Sequence, residues 1–373
     1  MAKLNEISEH KLHTRLGFIT AIPQTVHGGS GCYVGIRNLA AGVTELGNRV
    51  EMILPTIRLG SFIGERYLFN QSLRFRREWD YDATIGFDLD GFALNRRRRV
   101  PHIANVKGVL ADAVPFERGR SRASLALQAH WEAEHARNAD LIITISEYCK
   151  QRLQELYDVK SPIAVVPELI DLGIWKRLFL ENPANKPAGE FTVLCVCRFY
   201  PRKRLALLLQ AAQLLRRYIP ELQIRVVGGG PQEASLLRMW RRLKLEPVVT
   251  WVGEISQREL AREYNRADVF CLPSVQEGFG IAFLEAMAAG IPIIAARAAA
   301  VPEVVRHGIL VDPENAEYLA DAIWRLWRDP AHRKRIAEDQ KIDVQQYDMM
   351  PVARRFLKEV QSVAPTITSL PCS

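Results

Sequence analysis

Cysteine is scarce in this chain, six scattered residues among 373, and reduced thiols in a cytoplasmic compartment are the expected state. Cys195 and Cys197 alternate along an expected strand, so both face one side of a sheet, a poor geometry for a metal without further ligands nearby. Long apolar runs are missing too; none approaches the ~18 residues of a spanning helix. Residues 1–15 are polar and mixed in charge and lack the apolar centre of a signal peptide. There is no internal repeat and no low-complexity tract. Neither a basic aromatic module nor a zinc-ligand spacing occurs, so nucleic-acid binding would rest on net charge alone and is set aside.

Hydrophobic residues make up 48% of the chain, ample for the cores of about two domains. Lys and Arg outnumber Asp and Glu by 50 to 42, a net charge of +8, which fits phosphorylated substrates or peripheral contact with an anionic membrane face. The densest basic run, Arg96 to Arg99, fits a solvated loop and a contact with a membrane surface or acceptor phosphate equally well.

Two successive runs of strand–helix alternation are legible. Residues 16–22 read as a strand, followed by the loop Gly28-Gly29-Ser30-Gly31 and a helix carrying Val34, Leu39, Val43 and Leu46, stopped at Gly47-Asn48. With a strand at 50–54 this makes a strand–glycine loop–helix–strand unit, the start of a doubly wound parallel sheet. Residues 60–79 read as an irregular, basic and aromatic insertion on the acceptor side. Strands are expected at 82–87, 101–106, 141–145 and 163–166, a helix at 124–138 with Leu127 and Trp131 on one face, and a helix capped by Ser146. The polar stretch 181–190, with Pro183 and Pro187, reads as a linker. A second α/β alternation follows, with strands at 191–196, 224–227, 248–252, 269–272, 293–296 and 309–311. The expected division is residues 1–183 for an acceptor-binding domain, 184–347 for a nucleotide-sugar domain, and 348–373 for a closing helix and tail.

The densest chemistry lies in Glu277-Gly-Phe-Gly-Ile-Ala-Phe-Leu-Glu285, continuing to Gly290-Ile-Pro292. Gly278 and Gly280 allow a sharp turn, a helix begins near Ile281, and Gly290 closes it. The amides of Phe279, Gly280 and Ile281 then point out of a helix N-terminus, an anion site, with Glu277 before it and Glu285 one turn inside it, both suited to hydroxyls. Phosphate beside polyhydroxylated groups describes a nucleotide-sugar. An amphipathic core helix with two solvated glutamates would share the spacing.

Three further strand-end loops follow the same logic. Arg198 and Lys203 flank the loop Cys197-Arg198-Phe-Tyr-Pro-Arg-Lys203, a planar fork and a point charge for phosphate. Val227-Gly-Gly-Gly-Pro231 and Trp251-Val-Gly-Glu254 come next, and Pro302-Glu303-Val304 follows the glutamate pair. In this order the motifs resemble the retaining glycosyltransferases of the GT-B fold, family-4 type (glycosyl transferases group 1). The resemblance implies two Rossmann-like domains facing a cleft and closing on the donor around the 181–190 linker. It implies transfer from a UDP- or GDP-sugar to a sugar, lipid-linked or small-molecule acceptor, with no cofactor. Glu277 would contact the transferred sugar, Glu285 the ribose, and Arg198 and Lys203 the departing diphosphate. Gly28, Gly29, Gly31, Gly229, Gly230, Gly253, Gly278, Phe279, Gly280 and Ile281 would line the donor. Glu277 and Lys203 are expected in an open cleft, where replacing either should hardly alter stability. Glu303 is expected to be structural.

Several positions depart from the family's pattern. Arg204 stands where a glycine is usual, and Ala298-Ala299-Ala300 where glycines are common. Lys107 takes the place of a histidine near the reacting sugar; a phosphate contact and an ordinary surface lysine both fit it. His27 and His102 read as ordinary polar residues. Asp88-Leu-Asp90 has the spacing by which another glycosyltransferase fold holds a metal, but it lies in the wrong half, and Gly86 and Gly91 mark a turn. An acceptor contact by Asp88 and metal-independent transfer are therefore expected. A GT-B-shaped epimerase or phosphorylase, and an inactive GT-B binding subunit, are the rival readings.

Overall fold

Strand–helix alternation assembles two parallel sheets in the computed structural model, which describes residues 14–23, 31–56, 60–76, 79–94 and 98–364. The first half comprises β1 (Arg15–Ile19), α1 (Gly31–Glu45), β2 (Arg49–Ile53), α2 (Phe62–Leu73), β3 (Ala83–Phe87), β4 (His102–Val106), α3 (Leu110–Ala113), α4 (Gly119–Asn138), β5 (Leu141–Thr144), α5 (Glu147–Tyr157), β6 (Ile163–Val165) and α6 (Leu172–Glu181). The second comprises β7 (Phe191–Val196), α7 (Leu205–Leu215), β8 (Leu222–Val227), α8 (Glu233–Arg242), β9 (Val249–Gly253), α9 (Gln257–Arg266), β10 (Val269–Leu272), α10 (Ile281–Ala289), β11 (Ile293–Ala296), α11 (Val301–Val304), β12 (Ile309–Val311), α12 (Ala316–Arg328), α13 (Pro330–Asp343) and α14 (Met349–Val363).

The sheets run β2-β1-β3-β4-β5-β6 and β12-β11-β10-β7-β8-β9, the two Rossmann-like units expected. In each, the chain starts inside the sheet, builds outward one way, then returns and builds the other. That reversal opens a crevice at the strand C-termini between β1 and β3, and between β7 and β10. Strands β3, β4, β5, β10 and β11 are buried along their whole length, as helices on both faces require. Helix α14 returns to the first half: Val352, Ala353, Phe356, Leu357 and Val360 join the core of Leu16, Phe18, Ile36 and Leu39. Gly42 permits this crossing, since a Cβ there would lie 2.9 Å from Ala353 Cβ and from Met349 Cγ. Among the described residues, no helix is long and apolar enough to cross a membrane.

Two helical expectations need correction. Residues 60–79 are not irregular: most of that stretch is α2, N-capped by Ser61, whose side chain accepts from Gly64 N. Its buried face carries Arg66 and Asn70 beside Phe69 and Leu73, so the apolar periodicity that announces a helix is broken by two residues committed to polar partners. Helix α4 begins at Gly119, and its buried face is Ala129, Glu132, Ala133, His135 and Ala136. Leu127 is 47% exposed, and Trp131 stacks on Phe92 at 5.4 Å rather than entering the core.

Ala299 has φ +50°, in the region where an L residue is less stable by about 1–2 kcal/mol. A glycine there would relieve that strain at an entropic cost of about 0.5–1 kcal/mol. Ala299→Gly is expected to raise stability by about 0.5–1 kcal/mol in urea unfolding; a lowered midpoint would mean the methyl packs favourably.

Candidate functional site

The crevice between β7 and β10 gathers the expected donor residues. The loop after β7 and the loop after β10 are stitched together by Val275 N and Ser274 Oγ, which both donate to Arg202 O, at 2.9 and 3.2 Å. This brings Lys203 Nζ into an ion pair with Glu277, the two side chains being 13% and 10% exposed. The cleft is thus not open at this point. The expectation that either residue could be replaced without loss of stability fails, because removing one partner leaves a desolvated charge unpaired. The alternative of two solvated glutamates fails with it.

Helix α10 starts at Ile281 and ends at Gly290, as expected. Gly280, at φ +92°, occupies the N-cap and supplies no side-chain cap, so the first-turn amides of Ile281 and Ala282 lack an intrahelical acceptor. A Cβ on Gly280 would lie 2.6 Å from the Phe283 ring. The ring of Phe279 is buried against Tyr347 at 5.3 Å, which leaves only its backbone for a ligand. Glu285 accepts from Tyr264 Oη at 2.8 Å, and burial pushes its carboxyl up to about 7. The two glutamates of the motif therefore have different partners, Lys203 for Glu277 and Tyr264 for Glu285.

Arg198 sits on the same shelf but at the surface, ion-paired with Glu254. The glycine loops explain how it gets there. Phe199 N donates to Gly229 O at 2.9 Å, and Gly228 N to Gly253 O at 2.8 Å. A Cβ on Gly230 would lie 2.7 Å from Phe199 N. Gly229, Gly230 and Gly253 thus bring the loops after β7, β8 and β9 into backbone contact.

The first half supplies a more buried set. Gly28, Gly29 and His27 lie outside the described residues, as do Arg96 and Arg97. Gly31 opens α1, and a Cβ there would lie 3.5 Å from Ile281 Cδ1, so α1 and α10 begin face to face. Lys107 is not a surface lysine. Its side chain is 6% exposed and lies 3.1 Å from Glu168, which is 4% exposed. Glu168 escaped the sequence reading; the one signal was Gly35 inside α1, where a Cβ would lie 2.5 Å from Glu168 Oε2. Asp88 Oδ1 accepts from Lys107 N at 2.8 Å and Oδ2 from Cys32 Sγ at 3.3 Å, and burial raises its pKa.

Asp90 is fully buried and structural: Arg66 grips it through Nε at 2.8 Å and Nη2 at 2.9 Å, and Asn70 Nδ2 and Ala21 N donate at 3.0 and 2.7 Å. His102 is also part of the scaffold. Its Nε2 lies 2.8 Å from His135 Nε2 and its Nδ1 2.9 Å from Thr84 Oγ1, while His135 Nδ1 bonds the carbonyl of Asp88. Burial lowers both imidazole pKa values, that of His135 to about 4. The neutral pair fixes the loop that holds Asp88 at φ +54°. Glu303 is structural as expected, accepting from Glu147 N and Tyr148 N at 2.9 and 2.7 Å and so capping α5 of the other half. Among the described residues, no group of three or more His, Cys, Asp and Glu is placed to share a metal ion.

Comparison with known proteins matches this arrangement to one family. The model of Glycosyltransferase Family 4 matches residues 30–173, and that of Glycosyl transferases group 1 matches residues 177–342. A GDP-mannose-dependent alpha-(1-6)-phosphatidylinositol monomannoside mannosyltransferase of Mycobacterium tuberculosis is 31% identical over 208 residues, 51% of this chain and 53% of that protein. A D-inositol 3-phosphate glycosyltransferase of Nocardioides is 32% identical over 221 residues, 53% of this chain and 48% of that protein. The chain thus spans about half the length of the curated relatives it matches. Among solved structures, sucrose-phosphate synthase of Thermosynechococcus elongatus superposes with a TM-score of 0.79 over 95% of this chain and 100% of that one, at 21% identity. Anabaena HepE in complex with UDP-glucose gives 0.71 over 94% and 100%, at 19% identity. These likenesses are of fold.

Two stability predictions come from the charges. Lys203→Ala should cost about 3 kcal/mol in denaturant unfolding, because Glu277 loses its buried partner; an unchanged midpoint would restore the open cleft. Glu285 is raised from 4.5 to about 7, so it opposes folding only where the unfolded chain has ionised it. The penalty is absent below about pH 4, grows to about pH 7 and is complete above that, at up to about 3 kcal/mol. Glu285→Gln should therefore raise the melting temperature at pH 8 more than at pH 5; equal shifts at both values would contradict the assignment.

Proposed function

This chain belongs to the group 1, family 4 type of glycosyltransferases, and on that premise we propose that it is a retaining enzyme that moves a sugar from a UDP- or GDP-sugar to an acceptor hydroxyl without a metal ion. The observation that carries the reading is the Lys203–Glu277 pair beside the uncapped start of α10, at the strand reversal of the second sheet. An anionic diphosphate is favoured there by the amides and dipole of α10 and by Lys203, with Arg198 reaching from the neighbouring loop. Those positive groups meet the charge that develops on the leaving group, the largest catalytic contribution to expect, and no divalent cation is needed to neutralise it. Glu277 has one carboxylate oxygen on Lys203 and another for a hydroxyl of the transferred sugar. Glu285, with a carboxyl near half-ionised at neutral pH, suits the ribose hydroxyls.

In the proposed reaction the acceptor oxygen approaches the anomeric carbon on the face from which the diphosphate leaves. The bond from that carbon to the phosphate oxygen breaks as the new glycosidic bond forms. The acceptor proton passes to the departing phosphate oxygen, so no protein base is required. The acceptor enters from the first half, where Asp88 is the partly exposed carboxylate and Lys107, held by Glu168, sets the local field. The names of the relatives, a GDP-mannose-dependent mannosyltransferase and an inositol phosphate glycosyltransferase, support sugar, lipid-linked and small-molecule acceptors as the class. The net positive charge favours contact with an anionic membrane face.

The test is incubation with UDP-, GDP- and ADP-sugars and candidate acceptors, following nucleoside diphosphate release and product configuration. One donor should turn over in excess EDTA with the anomeric configuration retained. Glu277→Gln and Lys203→Ala, checked for folding, should each lose at least ~100-fold. Inversion, near-normal turnover in either variant, or a rate that collapses in EDTA and returns with magnesium or manganese would overturn the proposal.

A further inference from the structure

The loop that carries Glu277 belongs to the second half, yet its neighbours are anchored in the first. Gln276, immediately before Glu277, is only 7% exposed, and its Nε2 donates to Asp112 Oδ2 at 3.1 Å. Asp112 is itself held by Tyr148 Oη at 2.7 Å and Arg152 Nε at 2.8 Å. On the other side of Glu277, the carbonyl of Gly278 accepts from Ser146 Oγ at 2.8 Å, and Ser146 caps α5 through Cys149 N at 3.1 Å. Position 278 is tight, since a Cβ there would lie 3.2 Å from both Cys149 Sγ and Ile145 Cδ1, both in the first half. Glu277's own carbonyl accepts from Ala300 N at 3.2 Å, three residues before the glutamate that caps α5.

The two residues that flank Glu277 are therefore held by the α3–α5 corner of the first half, Gln276 by its side chain and Gly278 by its carbonyl, while Glu277 itself is held within the second half, at its carbonyl by Ala300 and at its carboxylate by Lys203. A shift of that corner turns the carboxylate relative to the start of α10, and reorientation of about 1 Å can cost two orders of magnitude in rate. We propose that Asp112, acting through the buried amide of Gln276, is a positioning residue for Glu277, so that the first half sets the geometry of the donor carboxylate. This rests on the reading of Glu277 as a donor contact. Mere filling of space does not need an amide here. The pocket offers Gln276 a carboxylate that already serves an arginine and a tyrosine, and an apolar side chain of similar volume would pack as well.

The test uses Gln276→Met, which keeps the volume and removes the donor, and Gln276→Glu. Hydrogen exchange of the 275–280 amides reads the anchoring without any activity, and steady-state kinetics reads its consequence. Gln276→Met should raise loop exchange at least ~10-fold and lower kcat at least ~10-fold, with the donor KM within about 3-fold. In Gln276→Glu the new carboxyl faces Asp112 and, through it, Tyr148 and Arg152. When protonated it can donate to Asp112 as the amide does, and when ionised it repels Asp112. Its kcat relative to the wild type should therefore be at least ~10-fold higher at pH 5.5 than at pH 8.5. Unchanged loop exchange in folded Gln276→Met overturns the proposal whatever the activity, and so does raised exchange with kcat within 2-fold of the wild type, or a Gln276→Glu ratio flat in pH. Wild-type inactivity on every donor would defeat the transferase reading, and the exchange measurement would then decide alone whether the first half holds the loop.

Discussion

A buried ion pair between two strand-end loops, Lys203 with Glu277, is the contact on which the second half of this protein turns. Such a pair is a poor way to gain stability, because the desolvation of two charges roughly cancels their attraction, and apolar residues of the same volume would serve as well. Its position accounts for it better. The loops after β7 and β10 flank the reversal of the sheet, where the strand ends diverge and backbone amides point into the gap. An apolar plug there would close the crevice. A charged pair ties the loops at one distance while keeping polar atoms at the mouth. The absence of a side-chain cap on α10 acts in the same direction, since a serine or aspartate at 280 would satisfy the amides that an anion could use.

The first half solves the corresponding problem differently. Its reversal, between β1 and β3, is packed with polar groups that serve one another. Arg66 and Asn70 surround Asp90, Lys107 meets Glu168, and His102 and His135 pass hydrogen bonds from Thr84 to the carbonyl of Asp88. Each cluster is costly to bury and worthwhile only when complete. Together they fix a turn in which Asp88 adopts a left-handed backbone and Gly86 and Gly91 leave room for the imidazole of His135. The second half thus presents partly exposed cations near its reversal, and the first a floor of buried, mutually paired side chains with Asp88 at its edge.

The sequence made part of this readable. Apolar strand runs and glycine stops defined most strands and the limits of α10, because both signals are local. The motif order located Arg198, Lys203, Glu277 and Glu285 on strand ends, but not their partners. Lys203 and Glu277 are 74 positions apart, and Lys107 and Glu168 are 61 apart; no pattern along the chain announces that such residues meet. Helix α2 was hidden for a related reason. Its inward positions are polar because they serve Asp90, and polarity at helical spacing looks like surface. The Asp88-Leu-Asp90 spacing invited a metal reading that a local view could only argue against, whereas Arg66, Asn70 and the amide of Ala21 show that Asp90 is occupied by protein donors.

The two cations of the second half differ in a way that bears on how a diphosphate would be handled. Arg198 and Glu254 form an ion pair with both side chains more than two-fifths exposed, and such pairs are worth roughly 0–1 kcal/mol. A phosphate competing for the arginine would displace Glu254 at little cost and gain a forked, charge-assisted contact. Lys203 is held far more firmly, since separating it from Glu277 would strand a desolvated carboxylate. In the proposed reaction Lys203 therefore stays where it is and presents a fixed positive charge. Arg198 moves from one anion to another as the donor arrives and leaves. Fixed charge lowers the barrier because it needs no reorganisation during the chemical step, and an exchangeable one allows the product to depart. That division follows from burial alone: the same two residue types at the same spacing would lose it if Glu277 were exposed or Glu254 buried.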